Sequence, residues 1–327
     1  MTHKFFLLVS AAILSVCALT ACRPNPKPEN ADAPQIVVTI FPEYDWVKNI
    51  LGTNPAGADI TTLLDSGVDL HSYKPTANDL LKIAKCDLFV YVGGESDDWV
   101  EGALQQTPNE KRIVINLLET LGDKAKEEEI VEGMETHDHE DGDHHEDGPE
   151  YDEHIWLSLR NAPLLVGRIA DALKTIDPAN AELYNRNAAS YTEKIKDLDA
   201  RYRTAVSEAP VKTLLFGDRF PFRYLADDYG LSYYAAFAGC SAETEASFET
   251  ITFLAKKADE LSLHAVMTIE GTNHKIAETI VQNTAAKNQQ ILTLDSMQSV
   301  TADAVRSGAD YLEIMEKNLN VLKEALK

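Results

Sequence analysis

The chain has 327 residues, is 44% hydrophobic and carries a formal charge of -23. It is long enough to bury a sizeable core, most readily as two domains. Its acidity excludes nucleic acid and anionic membrane surfaces as charge-driven partners and suits a protein that handles cations.

The N-terminus reads as a targeting segment. Lys4 supplies the positive start, FFLLVSAAILSVCAL is the apolar run, and small residues follow. That run is too short for a comfortable membrane span. Cys22 directly follows Leu19-Thr20-Ala21, a pattern that resembles a bacterial lipobox. The resemblance implies a signal peptide over 1–21 and a mature chain that begins at lipidated Cys22. Residues 22–34 are rich in Pro, Asn and charge and read as a tether. With Cys17 removed and Cys22 acylated, Cys86 and Cys240 remain. Two cysteines on different expected domains make no disulfide framework, so two buried thiols are expected, Cys240 being a minor candidate ligand.

Short β-branched runs alternate with amphipathic stretches along the rest. Strands are predicted at Ile36–Phe41, Ile60–Leu64, DLFVYVGG and RIVINLLE, with helices between them. Thr76 or Asn78 can cap the helix that follows the His71 loop. SLRNAPLLVGRIADALKTI is strongly periodic, and Asp177-Pro178 breaks it. The long polar stretch that follows reads as a helix bridging two domains. Strands recur at Lys212–Phe216, LSYYAAF, His264–Ile269 and Gln290–Leu294. Helices are predicted at SFETITFLAKKADEL, HKIAETIVQNTAA and Ala302 to Ala325. The rhythm predicts an α/β protein with parallel sheets covered by helices. The boundaries expected are an N-terminal lobe over 35–177, a linking helix over 178–208 and a C-terminal lobe over 209–327.

The N-terminal lobe contains a His- and acid-rich loop, 127–153, and five of the nine histidines lie in HDHEDGDHHEDGPEYDEHIWL. Imidazole and carboxylate are both ligands for zinc-like ions. His137, His139, His144 and His145 read as a loose collector, since the low-complexity tract cannot bury a core. His154 stands where the loop turns apolar and a fold can hold it rigidly. In open parallel sheets, ligands bind beyond the carboxyl ends of strands. His71, His154, Asp218, Glu270 and Asp295 all fall at such places and could furnish the four or so donors a zinc site needs. Asp295 and Glu270 have rival readings as caps. His264 reads as packing and His274 as facing water.

GVDLHSYKPTANDLLKIAKCDLFVYVGG and DEHIWLSLRNA resemble the two histidine motifs of the ZnuA/TroA-type substrate-binding receptors of zinc and manganese ABC importers. YLADDYGL, ETEASFETI, VMTIEGTNHKIAETI and ILTLDS match later landmarks in order. The resemblance implies two α/β lobes joined by a long rigid helix, with metal in the cleft between them. It carries over His71, His154 and Asp295 as ligands. The third family position is a His or Glu, and here GDRFPFRYLADDYG offers none. Asp218 is the nearest donor there, and Arg219 and Arg223 would repel a metal unless turned away. Glu270, Cys240, a water or a loop histidine could fill that place.

The implied function is zinc capture outside a bacterial cytoplasmic membrane by a lipid-anchored monomer and delivery to an ABC permease. Manganese or iron is the alternative cargo. A zinc hydrolase is the rival class, but the chain has no HExxH and no GxSxG. A surface adhesin is another. Histidine ligation predicts weaker binding below about pH 6, because free imidazole titrates near ~6.5.

Overall fold

Two four-stranded parallel sheets organise the chain. The first has the order β2-β1-β3-β4, from β1 (Gln35–Val38), β2 (Asp59–Thr62), β3 (Leu88–Tyr91) and β4 (Ile113–Asn116). The second has the order β6-β5-β7-β8, from β5 (Thr213–Arg219), β6 (Ser232–Phe237), β7 (Ala265–Ile269) and β8 (Gln290–Leu294). The computed structural model describes residues 33–135, 150–241, 245–271 and 273–327. The targeting segment, Cys22 and the loop histidines His137, His139, His144 and His145 lie outside the described residues. Residues 34–327 form one compact unit.

The strands follow from side-chain character. β3 and β7 sit inside their sheets and are almost wholly apolar and buried, as strands covered on both faces must be. β2 is an edge strand with two threonines and stays half-exposed. The first strand is shorter than the apolar run that predicts it. Phe41 and Pro42 open the helix Phe41–Leu51, where proline's fixed φ suits the first turn. Glu43 accepts the freed N–H groups of Thr39 at 2.7 Å and Ile40 at 3.2 Å. β5 is longer than KTLLF and runs through Asp218 to Arg219. The C-terminal helix divides into Ala302–Arg306 and Tyr311–Ala325, because Gly308 takes a φ of +96° and Asp310 caps a new start.

The helix Ala181–Glu208 runs between the lobes. Its apolar stripe is narrow: Tyr184, Ala188, Tyr191, Ile195, Leu198, Tyr202 and Val206 are buried at helical spacing. Tyr191 donates to Asp45 of the first lobe at 3.0 Å, and Tyr202 donates to the Met315 carbonyl at 2.5 Å. Trp46 meets Tyr311 edge-on at 5.5 Å between ring centroids. Each such fully buried aromatic contributes about 2–3 kcal/mol relative to exposure. One core therefore runs through both lobes and this helix, and a smaller one lies under Phe248–Glu260 and Lys275–Asn283. Both sheets turn their carboxyl ends to a shared cleft. No helix of the described residues is long and apolar enough to cross a membrane.

Candidate metal centre

His71 and His154 meet in that cleft, their Nε2 atoms 3.2 Å apart although 83 positions separate them. His71 sits in the short turn Leu70–Ser72, capped by Asp69, whose Oδ1 accepts the His71 N–H at 3.1 Å. His154 precedes another short turn, Ile155–Leu157. That turn is locked across the cleft: the Trp156 indole donates to the Ser296 carbonyl at 2.8 Å, and Tyr311 donates to the Trp156 carbonyl at 2.6 Å.

The outer nitrogen of each ring is held. His154 Nδ1 lies 3.0 Å from Asp152 Oδ1, which also accepts the His154 N–H at 2.9 Å. His71 Nδ1 lies 2.7 Å from Ser96 Oγ and 3.4 Å from Glu153 Oε2. Carboxylates on the Nδ1 side select the Nδ1–H tautomer and leave Nε2 as a lone pair. Two lone pairs 3.2 Å apart repel unless a cation lies between them. Tetrahedral zinc with bonds of about 2.0–2.1 Å to nitrogen spaces its ligands about 3.3 Å apart, so the observed separation fits.

Glu153 is placed by its neighbours. The Ser96 N–H donates to its Oε1 at 2.7 Å. Gly94, at φ +84°, lies so near that an added Cβ would stand 2.5 Å from that oxygen. Burial raises the Glu153 carboxyl to about 7. Burial first, then the adjacent His154, holds the His71 imidazole well below its usual pKa. Its neutral, ligating form therefore persists into acid.

Among the described residues the donors that gather are His71, His154 and Cys240, with ligand atoms within 4.8 Å of one another. The carboxylates named from the sequence stand outside this group. Asp218 accepts from Arg219 N–H at 2.9 Å and Ile269 N–H at 3.3 Å. Glu270 accepts from Ser296 N–H at 2.6 Å, Ser296 Oγ at 2.7 Å and Gln298 N–H at 3.3 Å. It caps that turn, not the helix after Asn273. Asp295 accepts from Met297 N–H at 2.8 Å in a local turn; the later helix that was its rival reading is capped by Thr301 instead. Arg219 is indeed turned aside: it pairs with Asp69 and donates to the Ser241 carbonyl at 3.3 Å. Arg223 pairs with Glu129. His264 bonds the Glu324 carbonyl at 2.6 Å. Cys86 and Cys240 are both free thiols.

Ser96, Asp152, Glu153 and Gln298 were not singled out from the sequence. Asp152 and Glu153 were signalled by adjacency to His154, whereas Ser96 and Gln298 come from loops remote in sequence. The site opens to a cavity of about 480 Å³ that His71 lines together with Asp69, Asp218 and Glu270.

The family model described as "Zinc-uptake complex component A periplasmic", ZnuA, matches residues 36–325. The chain is 31% identical over 319 residues to the zinc-binding lipoprotein AdcA of Streptococcus pneumoniae, covering 97% of this chain. It spans 60% of that relative's length. It is 30% identical over 321 residues to the high-affinity zinc uptake system protein ZnuA of Bacillus subtilis, covering 96% of each. The Zn(II)-bound ZnuA-like domain of the pneumococcal AdcA superposes with a TM-score of 0.68 at 28% identity, covering 89% of this chain and 98% of that one. With two like-ordered parallel sheets, paired imidazoles in the cleft and a family match over nearly the whole described chain, this protein belongs to the ZnuA family of zinc-uptake components.

Proposed function

We propose that the protein is an extracytoplasmic zinc receptor that captures Zn²⁺ between its lobes and hands it to the membrane permease of an ABC importer. The observation that carries this reading is the pair of Nε2 atoms 3.2 Å apart, each ring fixed from behind through Nδ1. The names of the relatives support zinc as the cargo. His71 and His154 act as neutral ligands, and Asp152 and Glu153 orient them and offset the ion's charge. Lipidated Cys22 tethers the receptor, a monomer, to the outer side of the cytoplasmic membrane. The loop histidines collect ions loosely nearby. Manganese is the lesser reading, because nitrogen donors bind zinc more tightly along the affinity order.

Metal analysis of the purified protein tests this. One tightly held zinc equivalent in the wild type, lost in His71→Ala and in His154→Ala, is the expected outcome. A variant that keeps its zinc would refute the site. Ester, peptide and phosphate substrates should not turn over with zinc present, and turnover would revive the hydrolase reading.

A further inference from the structure

We propose that Cys240 is the third ligand, giving this receptor a two-imidazole, one-thiolate site; the inference rests on the zinc-receptor reading. Cys240 follows β6, so the thiol is a donor that the second lobe brings to the two rings of the first. Its approach is built into the chain. The Cys240 N–H donates to Glu128 Oε1 of the first lobe at 2.9 Å. Gly239 lies flat against the neighbouring structure, where an added Cβ would stand 2.9 Å from the Phe220 carbonyl and 3.3 Å from His154 Cε1. Any larger residue would lift Cys240 off the imidazole.

A second observation concerns Gln298. It is 2% exposed, its amide makes no hydrogen bond of normal geometry, and it faces His71. Such a buried amide is costly, and a bound ion or its water would relieve it. The carboxylates at the other strand exits, Asp218, Glu270 and Asp295, are already engaged by N–H groups. Among the described residues, the thiol is the further donor that gathers with both rings.

A tetrahedral zinc with one sulfur at about 2.3 Å and nitrogens at about 2.0–2.1 Å needs nitrogen–sulfur separations of about 3.6 Å. The donors lie within 4.8 Å, so the thiol must move inward by about 1 Å at most, and a water or another donor takes the fourth position. Burial, with Asp152, Glu153 and Glu128 close by, pushes the Cys240 thiol far up, so the empty site holds S–H. On binding, the S–H bond breaks, the sulfur pair forms the metal bond and the proton leaves to solvent. The site then carries one positive charge against the two outer carboxylates. A thiolate favours zinc over manganese more strongly than a third nitrogen or oxygen does.

Cobalt(II) titration of the wild type and of Cys240→Ser tests this, with Zn²⁺ and Mn²⁺ competition alongside. The wild type should bind one equivalent and show a thiolate-to-cobalt charge-transfer band. Cys240→Ser should still bind metal, lose the band, and bind zinc roughly tenfold or more weaker with less preference over manganese. Tight binding without the band, or a band that survives in Cys240→Ser, overturns the thiolate and leaves the receptor intact. Failure of the wild type to bind zinc or cobalt tightly overturns both. If the serine variant does not fold, alkylation of the wild type mapped by mass spectrometry decides. One equivalent of zinc should shield Cys240, and equal labelling with and without zinc would refute the assignment.

Discussion

Two sets of carboxylates line the two sides of the cleft, and they behave differently. Asp152 and Glu153 in the first lobe reach the Nδ1 atoms of His154 and His71. Asp218, Glu270 and Asp295 stand at the strand ends of the second lobe and spend their oxygens on N–H groups. The first set bears on the rings from behind, and the second bonds its own turns. Position at the carboxyl end of a strand is therefore not enough to bring a carboxylate to the rings. Asp152 and Glu153 reach them while also accepting N–H bonds.

The strongest way to break the contrast is to remove a ring. His154→Ala should lower zinc affinity more than about 100-fold, beyond the usual outer-shell loss. Asp152→Asn should cost about 10- to 100-fold, by loosening the tautomer and orientation of His154. Chelator competition measures both. Asp295→Ala should change zinc affinity less than about threefold but lower stability by about 1 kcal/mol through the lost turn hydrogen bond. Abolished zinc binding there would restore Asp295 as a ligand. Deleting residues 137–147 should remove only weak additional zinc equivalents, read by calorimetry, and leave the tight site unchanged.

A buried carboxylate just behind the site, next to Ser96, sharpens the same point. Asp97 is 3% exposed, and one of its oxygens has no partner while the other accepts from Gly93 N–H at 2.9 Å. Burial raises its pKa to about 7 from an ordinary 3.8. Between these values the folded chain keeps a proton that the unfolded chain has released. Its contribution to stability is thus present below the lower value and lost as pH rises through the upper one. Asp97→Asn should flatten that slope and stabilise the protein at pH 7.5 by roughly 1–3 kcal/mol in urea unfolding. An unchanged slope would show that Asp97 is already ionised in the fold.

The α/β class, the strand-by-strand order and both histidines were legible, because each depends on local pattern. Runs such as DLFVYV announce buried parallel strands, and His71 and His154 stand in stretches that resemble family motifs. Boundaries were less legible. Pro42 ended a strand early and Gly308 divided a helix, since a cap competes with an apolar run over two or three residues. Asp295 and Cys240 show the larger gap: the sequence ranked the carboxylate above the thiol, and the cleft gathers the thiol with the rings.

Sequence alone determined that two imidazoles would sit at strand ends in a cation-handling α/β chain. Tertiary structure decided which remaining donors meet them. The physical reason is that a side chain's freedom to bind an ion depends on the hydrogen bonds it has already made. For Asp218, Glu270 and Asp295 those bonds come from β7, from the turn after β8 and from the chain next to them, none of which residue type reveals.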